Sequence, residues 1–390
     1  MGYQLKKSLQ GEKMKNGKIE SFNGLRFIMM VAIIINHLHL LGTLNEFGDI
    51  FKQYLQNPLV AVNYFFLLSG FGMMYGSLKR NNLEITKPSK YEGIQYAFKR
   101  IKKIYPVYIT TLIIGFIIVF IEAIVDSKMG VKFIIREIIR LIINCSLIQS
   151  ASGMTFFTHA YNGVSWFLSA LFCIYFVSPF LIYILRKISK SIITDIILVF
   201  FNLLLIGILI NVLGKIEIFL SSKPIPDVDI LVYGSPYIRV FYVLIGMNIA
   251  MLVSRISEKQ ISSKVTSILE IIISVLAIVY YLFRNSICPK IYDYRNIIDI
   301  IIPGFIIFIF SFDNGIISRI LQKKELQSLG KMTMYLYLIH PVFVIQLSFV
   351  VERIIGSWTP VTTIIYTIIS LIISFLFSFL FYKKLESKAK

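Results

Sequence analysis

The chain has 390 residues, of which 56% are hydrophobic and only 16% charged, and its mean hydropathy is +0.75. Soluble domains carry about 25% charged residues, so this composition excludes a soluble globule and a disordered chain, and three cysteines exclude a disulfide-built secreted domain. The formal net charge of +19 would suit a nucleic-acid binder, but in a polytopic membrane protein the same excess belongs in the cytoplasmic loops.

The apolar runs are continuous rather than alternating, which argues against a β-barrel. Ten are long enough to cross a bilayer as helices: 25–42, 58–77, 104–125, 164–185, 192–213, 237–254, 266–283, 297–312, 333–350 and 361–382. With the N-terminus inside, the inside segments total 95 residues with 27 Lys and Arg, and the outside segments total 99 residues with 11. That bias predicts an all-α polytopic membrane protein, N-in and C-in, with no nucleic-acid partner. We expect a basic cytoplasmic tail over 1–24, one membrane domain over 25–382 and a second basic tail over 383–390. The polar N-terminus is not expected to be a cleaved signal.

The segment 126–163 is the main threat to this count. Val131 to Ile148 is apolar but sets Lys132, Arg136 and Arg140 on one helical face. A helix lying on the outer membrane surface explains it better than an eleventh span, which would also move the Arg186–Lys187–Lys190 cluster outside. Cys145, Cys173 and Cys288 have no metal-ligand spacing, and a Cys145–Cys288 disulfide is open but unsupported.

Ionisable groups inside spans are costly and therefore functional candidates. The first span carries Arg26 and His37, eleven residues apart, hence on one face and roughly 16 Å apart along the axis. A cation at the cytoplasmic mouth could hold an anionic cofactor, and an imidazole deeper in could move a proton; a snorkelling arginine and a packed histidine are the alternative. His39 is expected to point away from His37, toward a loop or headgroup. In the second span, Ser69-Gly70 suits a close helix crossing better than a nucleophile, since no base accompanies Ser69. The loop after it ends in Lys99-Arg100-Ile101-Lys102-Lys103, which suits topology and anionic lipid and equally a nucleotide-type phosphate. Span four opens on Trp166, whose ordinary role is an interfacial anchor. Span six carries Arg239, and span nine carries His340 at a depth from which it could share a chamber with His37.

These fragments in this order resemble the membrane acyltransferase-3 family, which O-acylates bacterial surface carbohydrates. The resemblance comprises Gly24-Leu25-Arg26 with His37, Phe65 to Phe71, Arg100 to Pro106, Trp166-Phe167-Leu168-Ser169 with Tyr175 and Pro179, Arg239 to Gly246, and Tyr335 to His340. It implies an O-acetyltransferase in the bacterial plasma membrane that uses acetyl-coenzyme A, or another acyl-coenzyme A, as co-substrate from the cytoplasm. The acceptor it implies is a hydroxyl of a surface polysaccharide or lipid-linked sugar. Carried over, His37 and Arg26 are catalytic, and Arg100 and Lys103 bind the donor, Lys103 replacing a frequent second arginine. Trp166, Arg239, His340 and Ser69 then serve the acceptor side or support the site, and no metal is implied. Where many members place two acidic residues after the span-four tryptophan, this chain has Leu171 and Phe172, so no carboxylate role is expected there. With nothing after residue 390, no appended esterase-like domain is expected.

In the mechanism so implied, His37 is either the general base on the acceptor hydroxyl or the carrier of a transient acyl group. Two other classes compete. A transporter or flippase for lipid-linked sugars would more often show inverted repeats, which are absent from the sequence. A polysaccharide polymerase would need a larger outer loop with arginines free for catalysis.

Overall fold

The computed structural model describes residues 18–80, 86–220, 228–257, 261–287 and 295–387, and every regular element among them is helical. In chain order the longer helices are α1 (Ser21–His37), α2 (Asn45–Tyr54), α3 (Leu59–Lys79), α4 (Glu92–Ile101), α5 (Tyr105–Val125), α6 (Val131–Cys145) and α7 (Trp166–Ile188). They continue as α8 (Ile192–Leu220), α9 (Pro236–Ile256), α10 (Ser263–Ile287), α11 (Arg295–Phe310), α12 (Lys324–Pro341), α13 (Leu347–Ile355) and α14 (Pro360–Ser387).

Eight segments are long and apolar enough to cross a membrane, and they fall on predicted spans two to seven, nine and ten. The first and eighth predicted spans correspond to the shorter apolar helices Ser21–His37 and Ile297–Phe310. The outer surfaces have the inside-out pattern that lipid requires: Phe200, Leu204 and Ile208 on α8, Ile268, Ile272 and Leu276 on α10, and Ile365, Ile369 and Leu376 on α14 are all exposed. The chain is an all-α multi-pass membrane protein.

Span boundaries differ from expectation for identifiable reasons. α1 stops at His37, and a tight turn over His39–Thr43 takes up the rest of the predicted run. α12 begins at Lys324 rather than near 333, because a helix continues into polar sequence once its charged groups reach water. α2 and α4 are amphipathic helices in segments expected as loops, and α4 packs on α7. Cys145 and Cys173 are free thiols, and Cys288, like residues 1–17 and 388–390 of the two tails, lies outside the described residues.

The most extensive packing joins α3 to α9. A Cβ on Gly70 would stand 2.0 Å from the Val243 carbonyl oxygen, and one on Gly246 would stand 1.9 Å from that of Leu67. Only glycines permit this crossing, which accounts for the small residue expected in span two. α1 packs on α12 in the same manner, a Cβ on Gly330 lying 2.0 Å from the Asn23 carbonyl oxygen. Among the described residues, ion pairs to buried carboxylates join neighbouring helices: buried Arg284 to Asp299 at 2.6 Å between α10 and α11, and half-buried Arg255 to Asp195 at 2.9 Å between α9 and α8. Each carboxylate also accepts a hydroxyl hydrogen bond, from Tyr280 and Ser189 respectively, as charges deep in a bundle require.

α6 is amphipathic, as the Lys132–Arg136–Arg140 stripe predicted, and it is not among the eight candidate spans. Its exposed face is Val131, Ile135, Ile138, Ile139 and Ile142. Its inner face carries Glu137, fully buried, gripped by Arg136 at 2.9 Å and Arg140 at 2.7 Å and accepting from the Tyr161 hydroxyl at 3.0 Å. Tyr105 and Tyr108 of α5 tie down its end by donating to the carbonyls of Cys145 and Asn144.

Candidate active site

α1 carries both leading candidates, and its start is fixed from several sides. The Asp313 carboxylate accepts from the backbone N–H groups of Glu20 at 3.0 Å and Ser21 at 2.9 Å, satisfying donors that a helix N-terminus leaves open. Asn23 accepts from Arg26 Nη1 at 3.0 Å and donates to Gln327 Oε1 at 2.6 Å. The Arg26 guanidinium is thereby aimed into a cavity of about 330 Å³, whose wall also includes Lys18, Lys331, Ser69, Ile33 and Tyr337. The Ser69 hydroxyl donates to the Phe65 carbonyl at 2.8 Å, within its own helix. No histidine lines this cavity, and the Ser69 hydroxyl is spent on its own helix.

Four turns along α1, the His37 ring meets His340 of α12. His37 Nδ1 lies 3.1 Å from His340 Nε2, and His340 Nδ1 lies 2.9 Å from the Leu336 carbonyl oxygen. His340 is fully buried, and Tyr337 holds its own place by donating to the Val164 carbonyl at 2.6 Å. His37 lines a second cavity, of about 510 Å³, with Trp166, Tyr233, Glu122, Arg140 and His159. Ile33 faces the first cavity and His37 the second, so the two are separated by one helical turn, roughly 6 Å. His39 lines the second cavity as well, its ring centroid 6.1 Å from that of His37. His39 is exposed in the turn after α1, as expected of a loop residue, but it does not turn away from His37, because α1 ends between the two histidines and the 100° spacing no longer relates them.

Arg100 faces a third, polar cavity of about 580 Å³, with Arg80, Lys99, Arg186, Tyr96 and Tyr183 on its wall. Its guanidinium donates to the Tyr96 hydroxyl at 2.7 Å and lies over that ring. Lys103 is exposed in the turn before α5 and is not on this wall. One face of α3 connects the cavities: Ser69 lines the first, Met73, Ser77 and Arg80 the third, and Ser69 to Arg80 spans roughly 16 Å.

Trp166 is buried rather than interfacial. It stacks on Phe66 at 5.9 Å and meets Tyr233 at 4.7 Å between ring centroids. Arg239 stands behind it, off the cavity wall, among four rings: Tyr242 at 4.5 Å, Phe66 at 5.0 Å, Tyr233 at 5.1 Å and Trp166 at 5.7 Å. Its Nε donates to the Tyr233 carbonyl at 2.7 Å and its Nη1 to Asn63 Oδ1 at 2.6 Å. Desolvated cations persist when ring faces and hydrogen-bond acceptors surround them in this way.

A family model described as an acyltransferase domain, that of acyltransferase family 3, matches residues 19–383. The chain belongs to the acyltransferase-3 family. No curated protein and no solved structure matches it. Membership makes this acyltransferase-3 protein a membrane acyltransferase and sets aside the transporter and polymerase readings.

Of the sequence-predicted residues, the acyltransferase-3 fold brings His37 and His340 together, puts Arg26 and Ser69 in one cavity, and sets Trp166 at the other with Arg239 behind it. Arg100 sits at a separate basic cavity, and Lys103 beside none of the three. Arg80, Arg186, Asn23 and Gln327 escaped the sequence reading. The two arginines lie in basic runs that topology already explained, and the two amides form a contact across about 300 residues that no local pattern encodes.

Proposed function

We propose that this acyltransferase moves an acyl group, acetyl in the first instance, from coenzyme A to a hydroxyl of a bacterial cell-surface carbohydrate across the plasma membrane. The observation that carries the reading is the pair of cavities along α1, one helical turn apart, with His37 on the wall of the second and in contact with His340. With the N-terminus inside, as the loop charges favour, the Arg26 cavity admits the donor and the His37 cavity the acceptor.

Arg80, Arg100 and Arg186 suit coenzyme A phosphates, because guanidinium groups bind phosphate in a bidentate fashion. From there the pantetheine arm follows the α3 face past Ser77, Met73 and Ser69, with Arg26 available to the thioester end. Trp166 and Tyr233 offer ring faces to a sugar, and Glu122 and His159 offer polar partners. His37 takes the proton of the acceptor hydroxyl as its oxygen bonds to the thioester carbonyl carbon. The C–S bond then breaks, and the departing thiolate recovers the proton from the imidazole. The same ring could carry the acyl group first, and a burst of coenzyme A release without acceptor would mark that route.

The test is acceptor-dependent transfer from labelled acetyl-coenzyme A by protein in lipid nanodiscs, offered neutral, amino and uronic-acid oligosaccharides. His37→Gln should lower transfer by roughly 10²–10⁴-fold at matched protein level, the usual worth of a positioned base. Near-normal transfer by that variant would remove His37 from the chemistry. Label on a lipid or protein instead of any glycan would remove the carbohydrate.

A further inference from the structure

The contact between the two histidines fixes more than their proximity. Resting on the reading of His37 as the base, we infer that His340 is a positioning residue that sets the His37 tautomer and leaves Nε2 of His37 as the nitrogen that accepts the proton.

The chain of inference begins at a backbone carbonyl. His340 Nδ1 lies 2.9 Å from the Leu336 carbonyl oxygen, which can only accept, so this nitrogen carries a hydrogen. The Tyr337 carbonyl stands beside the same ring. That carbonyl lacks its usual helical donor, because the residue four positions on is Pro341 and has no N–H. The Leu336 carbonyl thus keeps the hydrogen of His340 on Nδ1, with the Tyr337 carbonyl beside the same ring. A neutral imidazole protonated at Nδ1 presents a bare lone pair at Nε2. That bare nitrogen lies 3.1 Å from His37 Nδ1, which must be the donor. With Nδ1 of His37 protonated, its lone pair is on Nε2, and His37 is the member of the pair that lines the acceptor cavity.

Left alone, a histidine distributes its proton between two nitrogens and its ring between rotamers. Here the Ile33 carbonyl and a second ring, itself held by the backbone, supply the orienting acceptors that a carboxylate supplies in Ser-His-Asp sites. When Nε2 takes the hydroxyl proton, His37 becomes an imidazolium that still donates Nδ1–H to His340. Proton transfer along that bond moves the charge onto His340, whose own Nδ1–H stays on Leu336. No proton is lost, and the charge is shared by two rings until the leaving thiolate is protonated.

The chain has only four histidines, so nitrogen-15 spectra of protein labelled at both imidazole nitrogens resolve into four rings, with His39→Gln and His159→Gln for assignment. The expected result is protonated Nδ1 on His37 in the native protein, retained in His340→Gln, whose carboxamide oxygen can accept the same bond. In His340→Leu the His37 proton should shift to Nε2 or divide between the two nitrogens. Kinetically, His340→Leu should lower kcat roughly 10- to 100-fold, within the worth of a positioned base, with the acetyl-coenzyme A KM unchanged within twofold. His340→Gln should recover most of that loss. A native His37 protonated on Nε2, or a tautomer indifferent to His340→Leu, overturns the inference. A tautomer that shifts as expected while His37→Gln retains transfer leaves the His340 assignment standing and removes the base reading on which its catalytic value rests.

Discussion

Arg239 offers the sharpest test of the site's construction, because two roles for it predict different measurements. In one it binds the sugar. In the other, which the geometry favours, it holds Trp166 and Tyr233 from behind. Arg239→Lys keeps the charge and most of the attraction to the four rings, worth up to about 2 kcal/mol in a desolvated site. A single ammonium cannot reproduce the fork that reaches the Tyr233 carbonyl at 2.7 Å and Asn63 Oδ1 at 2.6 Å. One acceptor is then left unpaired in a site where Arg239 itself is only 2% exposed, at a cost of about 1–3 kcal/mol. Thermal melting followed by size-exclusion should show a clear loss of stability. The acceptor KM should rise by a few fold as Trp166 and Tyr233 shift, and the donor KM should stay where it was. A variant that melts like the native protein yet loses acceptor affinity 100-fold would refute the supporting role and make Arg239 a sugar ligand.

Replacing Arg80, Arg100 or Arg186 by Ala should each raise the KM for acyl-coenzyme A, since a lost charge-assisted phosphate contact is worth about 1.5–3 kcal/mol. Lys103→Ala should have a smaller effect, and equal effects would show that the basic cavity is not the phosphate site. Reporter fusions after Arg80, Lys190 and Lys323 should read cytoplasmic and one at Lys52 external. The same assignment extends to Lys259 inside and to Lys223 and Lys290 outside, three positions beyond the described residues, and an internal reading at Lys52 would break the N-in assignment at its first loop.

Eight of the ten expected spans were legible because lipid imposes a length and a composition that a sequence cannot disguise. Arg26 and His37 were legible as a pair because helical spacing relates residues along one helix. His340 was legible only in depth, since a sequence reports how far along a span a group sits and not which neighbour it faces. Arg80 and Arg186 escaped notice as wall residues for a different reason. A cation at a cytoplasmic helix end reads the same whether it faces lipid headgroups or a cavity wall, and the topology bias had already accounted for both. In the segment 126–163 the cationic stripe was visible, but Glu137 beneath it was not. One acid among apolar residues reveals nothing until Arg136, Arg140 and Tyr161 converge on it.

α1 and α12 are clasped at both ends, by Asn23 with Gln327 at one and by His37 with His340 at the other. Two helices held in this way keep Arg26 and the histidine pair at a set separation, which a reaction between groups delivered from opposite sides needs. Gly330→Ala tests the clasp without touching any of these side chains. Its Cβ would lie 2.0 Å from the Asn23 carbonyl oxygen, a backbone atom that no side-chain rotation can clear. Reaching ordinary contact requires α12 to move away from α1 by roughly 1.4 Å, and a misplacement of about 1 Å can already cost about 10²-fold in rate. Transfer should therefore fall to about that degree while the protein remains in the membrane. Native kcat in Gly330→Ala would mean that the chemistry does not depend on how closely these two helices meet.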